Sequence, residues 1–108
     1  GGSTGNGHFV AERFYAEGAN VIITSRFPEC YERPYKILKL DIRYECQVKK
    51  LIKKVAKIFN GKIDILINCA HIYNFGLLAD YNGDDHLNTH EFGTVGYQRV
   101  VHYALPYM

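Results

Sequence analysis

Short aliphatic runs alternate along this chain with segments of helical periodicity, and this alternation constrains the fold more than any other feature. The runs at 21–24, 36–41 and 64–68 are rich in Ile, Leu and Val. Runs this short and this apolar are typical of strands buried on both faces, as in a parallel sheet. Because helical segments separate them, the alternation predicts an α/β fold.

Three segments have the residue spacing of helices. Residues 8–15 are followed by Gly18, a natural helix stop, and residues 95–104 form a last helix. Residues 45–59 carry apolar side chains on one face and lysines on the other. Since no arginine or aromatic residue interleaves with those lysines, we interpret them as solvated and predict no nucleic-acid partner. Residues 27–35, which contain two prolines, predict a loop with one helical turn.

Composition limits the class of protein. The 108 residues are 47% hydrophobic and carry a formal net charge of +2, which predicts one soluble domain over residues 1–108. No apolar run approaches the roughly 20 residues that a membrane span needs, so no membrane partner is expected. The three cysteines include no C-x-x-C pair, which argues against a disulfide framework and a structural zinc site. We therefore predict a cytoplasmic protein without a metal site.

The chain begins with GGSTGNG, directly before the first predicted helix, with glycines at positions 1, 5 and 7. Glycines let backbone N–H groups and a helix N-terminus approach a pyrophosphate, because no Cβ stands in the way and the helix dipole favours the anion. A flexible glycine-rich terminus would have the same composition. The loop alone is therefore a weak indication of a phosphate site.

Further motifs follow this loop in a fixed order: TSR at 24–26, LD at 40–41, INCA at 67–70, FGT at 92–94 and ALPYM at 104–108. The ordered set resembles the short-chain dehydrogenase/reductase family. That family's pattern is a Thr-Gly-x-x-x-Gly-x-Gly loop, an Asp after the third strand and an Asn-Asn-Ala-Gly turn after the fourth. The resemblance covers nearly the whole chain and implies hydride transfer between a nicotinamide and a small carbonyl or alcohol substrate.

The resemblance implies a set of cofactor-binding residues. They are Gly1, Ser3, Thr4, Gly5, Asn6 and Gly7 along the diphosphate, Arg26 at the adenosine ribose, Asp41 and Ile42 at the adenine, and Asn68 and Ala70 beside the ribose and nicotinamide. At the position of Arg26 the family's NAD users tend to have an acidic residue and its NADP users a basic one. A guanidinium there can fork onto a 2′-phosphate, so the resemblance implies NADP(H). A surface arginine at a strand end is the alternative interpretation.

Several positions depart from the family pattern. Cys69 stands for the second Asn of the turn, and His71 stands for its Gly, whose lack of a side chain permits close approach. His90 stands where the pattern expects a catalytic Asn. The family's catalytic Ser and Tyr-x-x-x-Lys pair are not found. The one spacing match, Tyr35 with Lys39, lies on or beside a predicted strand, where positions i and i+4 do not share a helical face.

No catalytic residue is therefore predicted, and we expect the chain alone to be inactive. Whether the protein is an enzyme is left open by these residues. The lineage is that of an NADP-dependent oxidoreductase, and the alternative is a non-enzymatic structural or interaction module derived from the same fold.

The resemblance also predicts which strands the chain holds. In the doubly wound order 3-2-1-4-5-6 the first strand lies between the second and the fourth, and here it would precede Gly1. We therefore predict a partial Rossmann-type doubly wound parallel sheet that lacks its first strand and its C-terminal strands. The strands at 21–25 and 64–68 would then have unpaired ladder groups, so another segment or chain is expected to fill the gap. Family members associate through helices such as 95–104, which implies a homo-oligomer.

A motif of another class lies at residues 80–91. Six residues fall at alternate positions and at the twelfth position of an EF-hand-like calcium loop: Asp80, Asn82, Asp84, His86, Asn88 and Glu91. Asp85 stands at the sixth position, where a sharp turn favours glycine. Calcium binding is thus an alternative to an acidic surface loop. His86 and His90, at i and i+4, are interpreted as two exposed histidines, since two ligands do not make a metal site.

Overall fold

The computed structural model describes residues 1–72, 76–80 and 82–108. Its helices are α1 (Gly5–Ala16), α2 (Glu45–Ile58), α3 (Gly83–His90) and α4 (Tyr97–Ala104), and its strands are β1 (Ile22–Ser25) and β2 (Lys36–Lys39). A π-helical segment, Glu91–Gly96, joins α3 to α4, and single 3₁₀ turns lie at Pro28–Cys30, Leu78–Asp80 and Leu105–Tyr107. The fold is therefore of the predicted α/β class.

The two strands pair in parallel, with Ile22 opposite Lys36 and Ser25 opposite Lys39. The pairing continues one step beyond β2, where the nitrogen of Leu40 donates to the carbonyl oxygen of Ser25 at 2.9 Å. The connection between the strands is the predicted loop with one helical turn, Pro28–Cys30. Both strands thus end at the same edge of the sheet.

Helix α2 begins and ends close to the predicted bounds, and its apolar face forms the centre of the core. Five of its residues are buried, Val48, Leu51, Ile52, Val55 and Ala56, whereas its lysines are exposed. This face packs against Val100 and Ala104 of α4, and Val48 and Ala104 have no exposed surface. Burying one such aliphatic side chain contributes about 1.5–3 kcal/mol, so this contact supplies much of the stability.

The helical region near the C-terminus is longer than predicted. It starts at Gly83 because Asn82 and Asp85 form a capping box, in which the Asn82 side chain accepts from the Asp85 nitrogen at 2.9 Å. The prediction began at residue 95 because residues 83–94 lack the apolar periodicity of an amphipathic helix.

The helix at 83–90 contradicts the calcium-loop alternative for residues 80–91. An EF-hand loop turns its alternate residues toward one ion, whereas neighbours in the series Asp84, His86 and Asn88 lie on opposite sides of α3. No cluster of three or more metal-ligating side chains occurs in residues 1–72, 76–80 and 82–108. The expected loop geometry is therefore wrong for this segment, because a capped helix uses Asn82 and Asp85 for its own backbone.

Residues 64–68 were predicted to form a strand, and they belong to no sheet in the structure. Their backbone, and that of Cys69 and Ala70, makes no hydrogen bond with other described residues. The side chains of Ile65 and Ile67 are 59% and 45% exposed. A strand exists only where a neighbour accepts and donates its ladder bonds, and none of the described residues does so here. Within the described part of the chain, no helix is long and apolar enough to span a membrane.

Candidate functional site

The loop at residues 1–4 lies at the carboxyl end of β1, between that strand and residues 69–70. The nitrogen of Gly1 donates to the carbonyl oxygen of Thr24 at 2.9 Å. On the other side, a Cβ built on Gly1 would lie 2.2 Å from the nitrogen of Ala70. The residues that follow β1 and β2 also lie at this edge, which is where open α/β sheets bind ligands.

Two further glycines shape this edge in different ways. A Cβ on Gly7 would lie 2.0 Å from the carbonyl oxygen of Gly1, so this position needs glycine for close packing of the loop on α1. Gly5 has a φ of +54°, and a Cβ there would meet none of the described residues within 4 Å. Gly5 thus leaves open space before the first turn of α1, where backbone N–H groups have no intrahelical acceptor. This geometry fits the pyrophosphate of a dinucleotide.

The polar residues of the loop divide into two groups. The hydroxyl of Ser3 is buried and lies 3.4 Å from the hydroxyl oxygen of Ser25, which also accepts from the nitrogen of Phe27 at 3.1 Å. Ser3 therefore ties the loop to the end of β1. Thr4 and Asn6 are exposed on the open side of the N-terminus of α1, where an anion would be in reach.

Arg26 follows β1 directly, and its guanidinium is held by aromatic rings. Its Cζ lies 5.4 Å from the ring centre of Phe92 and 5.6 Å from that of Phe27. Desolvation, and to a lesser extent the charge of Arg26, lower the pKa of the Gly1 amino group to about 6. The guanidinium is exposed and is oriented by cation–π contacts. It lies close enough to the glycine loop, residues 1–7, to add positive potential there.

Asp41 and Arg43 form a bidentate pair beside Arg26. Nε and Nη2 of Arg43 donate to the Asp41 carboxylate at 3.0 and 2.6 Å, and the Arg43 backbone nitrogen adds a bond at 3.1 Å. The Arg43 hydrogen bonds lower the pKa of Asp41, and burial opposes this change. Arg43 also lies over the Phe92 ring at 4.8 Å, and its carbonyl accepts from Arg99 at 2.7 Å. The carboxylate of Asp41 is thereby fixed as an anion.

Ile42 turns its side chain away from this edge and into the core, where only 5% of it is exposed. A Cβ on Gly96 would lie 2.7 Å from the Ile42 side chain, so glycine in the π-helical segment makes room for it. A ligand at this edge could therefore reach the backbone of Ile42 and not its side chain.

Asn68 and Ala70 are half-buried at the end of the 64–70 segment, next to the glycine loop. His71, which follows them, packs against the helical region: a Cβ on Gly93 would lie 2.6 Å from Cε1 of its imidazole. The bulk that distinguishes His71 from a glycine is thus accommodated because Gly93 has no side chain. His90, in contrast, is exposed on α3.

The Tyr35 and Lys39 pair is not part of this site. Tyr35 is buried against α1, with its ring centre 5.4 Å from that of Tyr15, whereas Lys39 is exposed at the end of β2. Tyr35 precedes β2 and Lys39 ends it, so four residues of extended chain, about 13 Å, separate them and they cannot share a proton relay.

Sequence reasoning missed four residues that shape this edge: Arg43, Phe92, Gly93 and Gly96. The D-x-R spacing of Asp41 and Arg43 was a usable signal, since the two side chains can fold back on each other. Gly93 and Gly96 lie in a π-helical segment, a feature often found at functional sites. Their spacing in the sequence does not reveal which side chains pack against them.

Comparisons with known proteins agree with this geometry. The family model described as short chain dehydrogenase matches residues 1–108. An uncharacterized oxidoreductase of Staphylococcus epidermidis is 24% identical over 115 residues and matches all of this chain with 50% of its own length. The ligand-free aldohexose dehydrogenase of Thermoplasma acidophilum superposes over 100% of this chain and 42% of its own, with 31% identity and a TM-score of 0.91.

A short-chain dehydrogenase from Burkholderia cenocepacia, solved in complex with NADP, superposes over 100% of this chain and 48% of its own, with 28% identity and a TM-score of 0.86. The chain thus spans half the length, or less, of these three relatives. The match identifies the two strands and four helices as the N-terminal part of a Rossmann fold, as the resemblance predicted. The chain belongs to the short-chain dehydrogenase family.

Proposed function

We propose that this chain is the NADP(H)-binding part of an oxidoreductase that transfers hydride between the nicotinamide and a small carbonyl or alcohol substrate. The observation that carries the proposal is the exposed guanidinium of Arg26, held by Phe92 and Phe27 at the end of β1. Among the described residues, no carboxylate forms an ion pair with it. A guanidinium in this place attracts a dianionic 2′-phosphate and can bind it in bidentate fashion.

The remaining residues have distinct roles in this proposal. The open space at Gly5, with Thr4 and Asn6 beside it, receives the diphosphate on the N–H groups of α1. Asp41, held by Arg43, and the backbone of Ile42 border the adenine. Asn68 and Ala70 lie at the nicotinamide side, and Gly1, Ser3 and Gly7 keep the loop in place. The cofactor supplies the hydride, and these residues supply its binding and orientation.

Binding and turnover are separable in this proposal. These 108 residues contain no Tyr-x-x-x-Lys pair on a helix, so we expect the chain alone to bind NADPH without oxidising it. A cytoplasmic setting and a homo-oligomeric assembly are part of the same proposal.

The test is a titration of NADPH and NADH, followed by nicotinamide fluorescence, with the charge reversal Arg26→Glu. We expect this variant to weaken NADPH binding at least tenfold more than NADH binding, because only NADPH has the 2′-phosphate. Arg13→Glu is the matched control. Arg13 is an exposed arginine in the last turn of α1, and its reversal should leave both affinities unchanged. Equal weakening of both cofactors by Arg26→Glu would contradict the role of the 2′-phosphate.

A non-enzymatic interaction module is the second candidate, and a different observation favours it. The turn after residue 68 carries Cys69 and His71 in place of the family's Asn and Gly, and the imidazole packs on the helical region at Gly93. If neither cofactor binds at millimolar concentration to the folded chain, this second candidate replaces the first.

A further inference from the structure

Phe92 brings two guanidiniums together at the carboxyl edge of β1. Its ring is buried in the π-helical segment, with 4% of the residue exposed. The Cζ atom of Arg26, at the end of β1, lies 5.4 Å from the ring centre, and that of Arg43, between β2 and α2, lies 4.8 Å from it. Two like charges around one ring repel each other, so the anion beside them decides which of the two is neutralised.

That anion is the carboxylate of Asp41, and Arg43 occupies both of its oxygens. Nε of Arg43 donates to the two carboxylate oxygens at 3.0 and 3.2 Å, and Nη2 donates to Oδ2 at 2.6 Å. The Arg43 backbone nitrogen donates to Oδ1 as well. Within the described part of the chain, Arg26 makes no ion pair with this carboxylate, although its charge contributes to lowering the pKa of Asp41. Arg26 is therefore near Asp41 without being bound to it.

We propose that Arg43 keeps the guanidinium of Arg26 free for the 2′-phosphate by occupying Asp41. Arg43 is a positioning residue in this inference, because it sets the preference for NADPH over NADH through Arg26. The inference rests on the proposed function, in which Arg26 binds the 2′-phosphate. It adds the device that prevents a neighbouring carboxylate from neutralising that guanidinium.

Without Arg43 the carboxylate of Asp41 would need another cation. The Asp41 side chain is 14% exposed, and a carboxylate this far buried is costly when it has no partner. Arg99, another arginine in contact with this cluster, already pairs with Glu91 and donates to the Arg43 carbonyl oxygen. Arg26 is exposed and lies over the ring that it shares with Arg43. Its guanidinium can therefore move across that ring to the place that Arg43 leaves.

The two cofactors would respond differently to this movement. An Arg26 guanidinium bound to Asp41 has its charge neutralised and its donors occupied, so it would bind a 2′-phosphate poorly. The loss of one charge-assisted contact corresponds to a loss of about tenfold or more in affinity. NADH carries a hydroxyl group in place of the phosphate, so its affinity should change little.

Arg43→Met tests this inference, because methionine keeps an unbranched apolar side chain over the ring and removes the guanidinium. The ratio of the NADH and NADPH dissociation constants is measured for the unaltered chain, for Arg43→Met, for Asp41→Asn and for the double variant. We expect Arg43→Met to lower the preference for NADPH about tenfold or more when Asp41 is present, and less than about threefold when Asp41→Asn has removed the carboxylate. An equal loss in both backgrounds, or no loss in either, would overturn the inference.

High salt separates the capture of Arg26 from a long-range effect of charge. At about 0.5 M potassium chloride the influence of distant exposed charges is largely screened, whereas a direct pair of partly buried groups is screened much less. The loss caused by Arg43→Met should therefore persist in high salt. If the loss disappears there, Arg43 acts through its own charge and the inference is wrong.

A measurement without cofactor keeps this inference separate from the proposed function. Carbon-13 NMR follows the ionisation of the Asp41 carboxyl group in the chain alone. In Arg43→Met its pKa should stay below the usual range because Arg26 takes over, and adding Arg26→Met should raise the pKa above that range because burial is then unopposed. A raised pKa in Arg43→Met itself, or loss of the fold in that variant while the double variant with Asp41→Asn stays folded, would overturn the inference. Failure of NADPH to bind the unaltered chain would instead contradict the proposed function, and it would leave this NMR result unchanged.

Discussion

The two sides of this molecule use similar residues and reach different degrees of burial. On one side, α2 and α4 pack together, and Val48 and Ala104 have no exposed surface. On the other side, the segment at 64–70 is at least as rich in Ile and Leu, yet Ile65 and Ile67 are 59% and 45% exposed. Hydrophobicity is therefore not what separates them.

The difference lies in where each segment finds its partner. An amphipathic helix needs a partner that covers its one apolar face. For α2 that partner is formed by α4, β2 and Ile63. A parallel strand needs neighbours along both edges and cover on both faces. Residue types thus specify the element, whereas its burial depends on a partner that is distant in sequence.

The largest effect is expected from truncating one isoleucine on each side. Ile52→Ala, in the core at 4% exposure, should lower the free energy of unfolding by about 2–5 kcal/mol because it leaves a cavity. Ile65→Ala should change it by less than about 0.5 kcal/mol, since that side chain is largely solvated. Urea denaturation measures both. Equal losses for the two variants would contradict the difference in burial between the two sides.

A smaller effect is expected where the two sides meet, at the glycine loop. Gly7→Ala places a methyl 2.0 Å from the carbonyl oxygen of Gly1, and a backbone atom cannot swing aside. We expect a loss of about 1–3 kcal/mol in stability, together with weaker NADPH binding. Gly83→Ala is the control, since a Cβ there meets no described residue within 4 Å. It should be neutral or stabilising by up to about 1 kcal/mol. Unchanged NADPH binding by the Gly7→Ala variant would show that the close packing of Gly7 on the Gly1 carbonyl is not needed for binding.

The smallest effect is a pH dependence that originates at the amino group of Gly1, beside Thr24. The Gly1 amino group has a folded-state pKa of about 6, below its ordinary value of 8.0, so the unfolded chain binds more protons between these values. The free energy of unfolding should therefore rise from pH 6 to pH 8, and the stabilisation should be lost as the pH falls through 6. Acetylation of Gly1 should remove this component in thermal melts. If acetylation leaves the pH dependence of the melting temperature unchanged, the folded chain does not desolvate the Gly1 amino group.

The sequence was sufficient for most elements and for several of the residues that lie at the carboxyl edge of β1. The strands at 22–25 and 36–39 and the helix at 45–58 follow from apolar runs and periodicity, which are local properties. Helix α3, which precedes the predicted helix at 95–104, was missed although Asn82 and Asp85 form a recognisable cap. The contacts of His71 with Gly93 and of Ile42 with Gly96 could not be predicted, because they join segments whose approach depends on the whole fold.

The most direct test of the cofactor site is hydrogen–deuterium exchange of this chain with and without NADPH. We expect slower exchange at residues 4–8, on the first turn of α1, and at residues 26–27, where Arg26 and the Phe27 amide lie. Exchange in α2 should not change. Protection confined to residues 82–91, or no protection at saturating NADPH, would contradict the proposal that the glycine loop and Arg26 form the binding site.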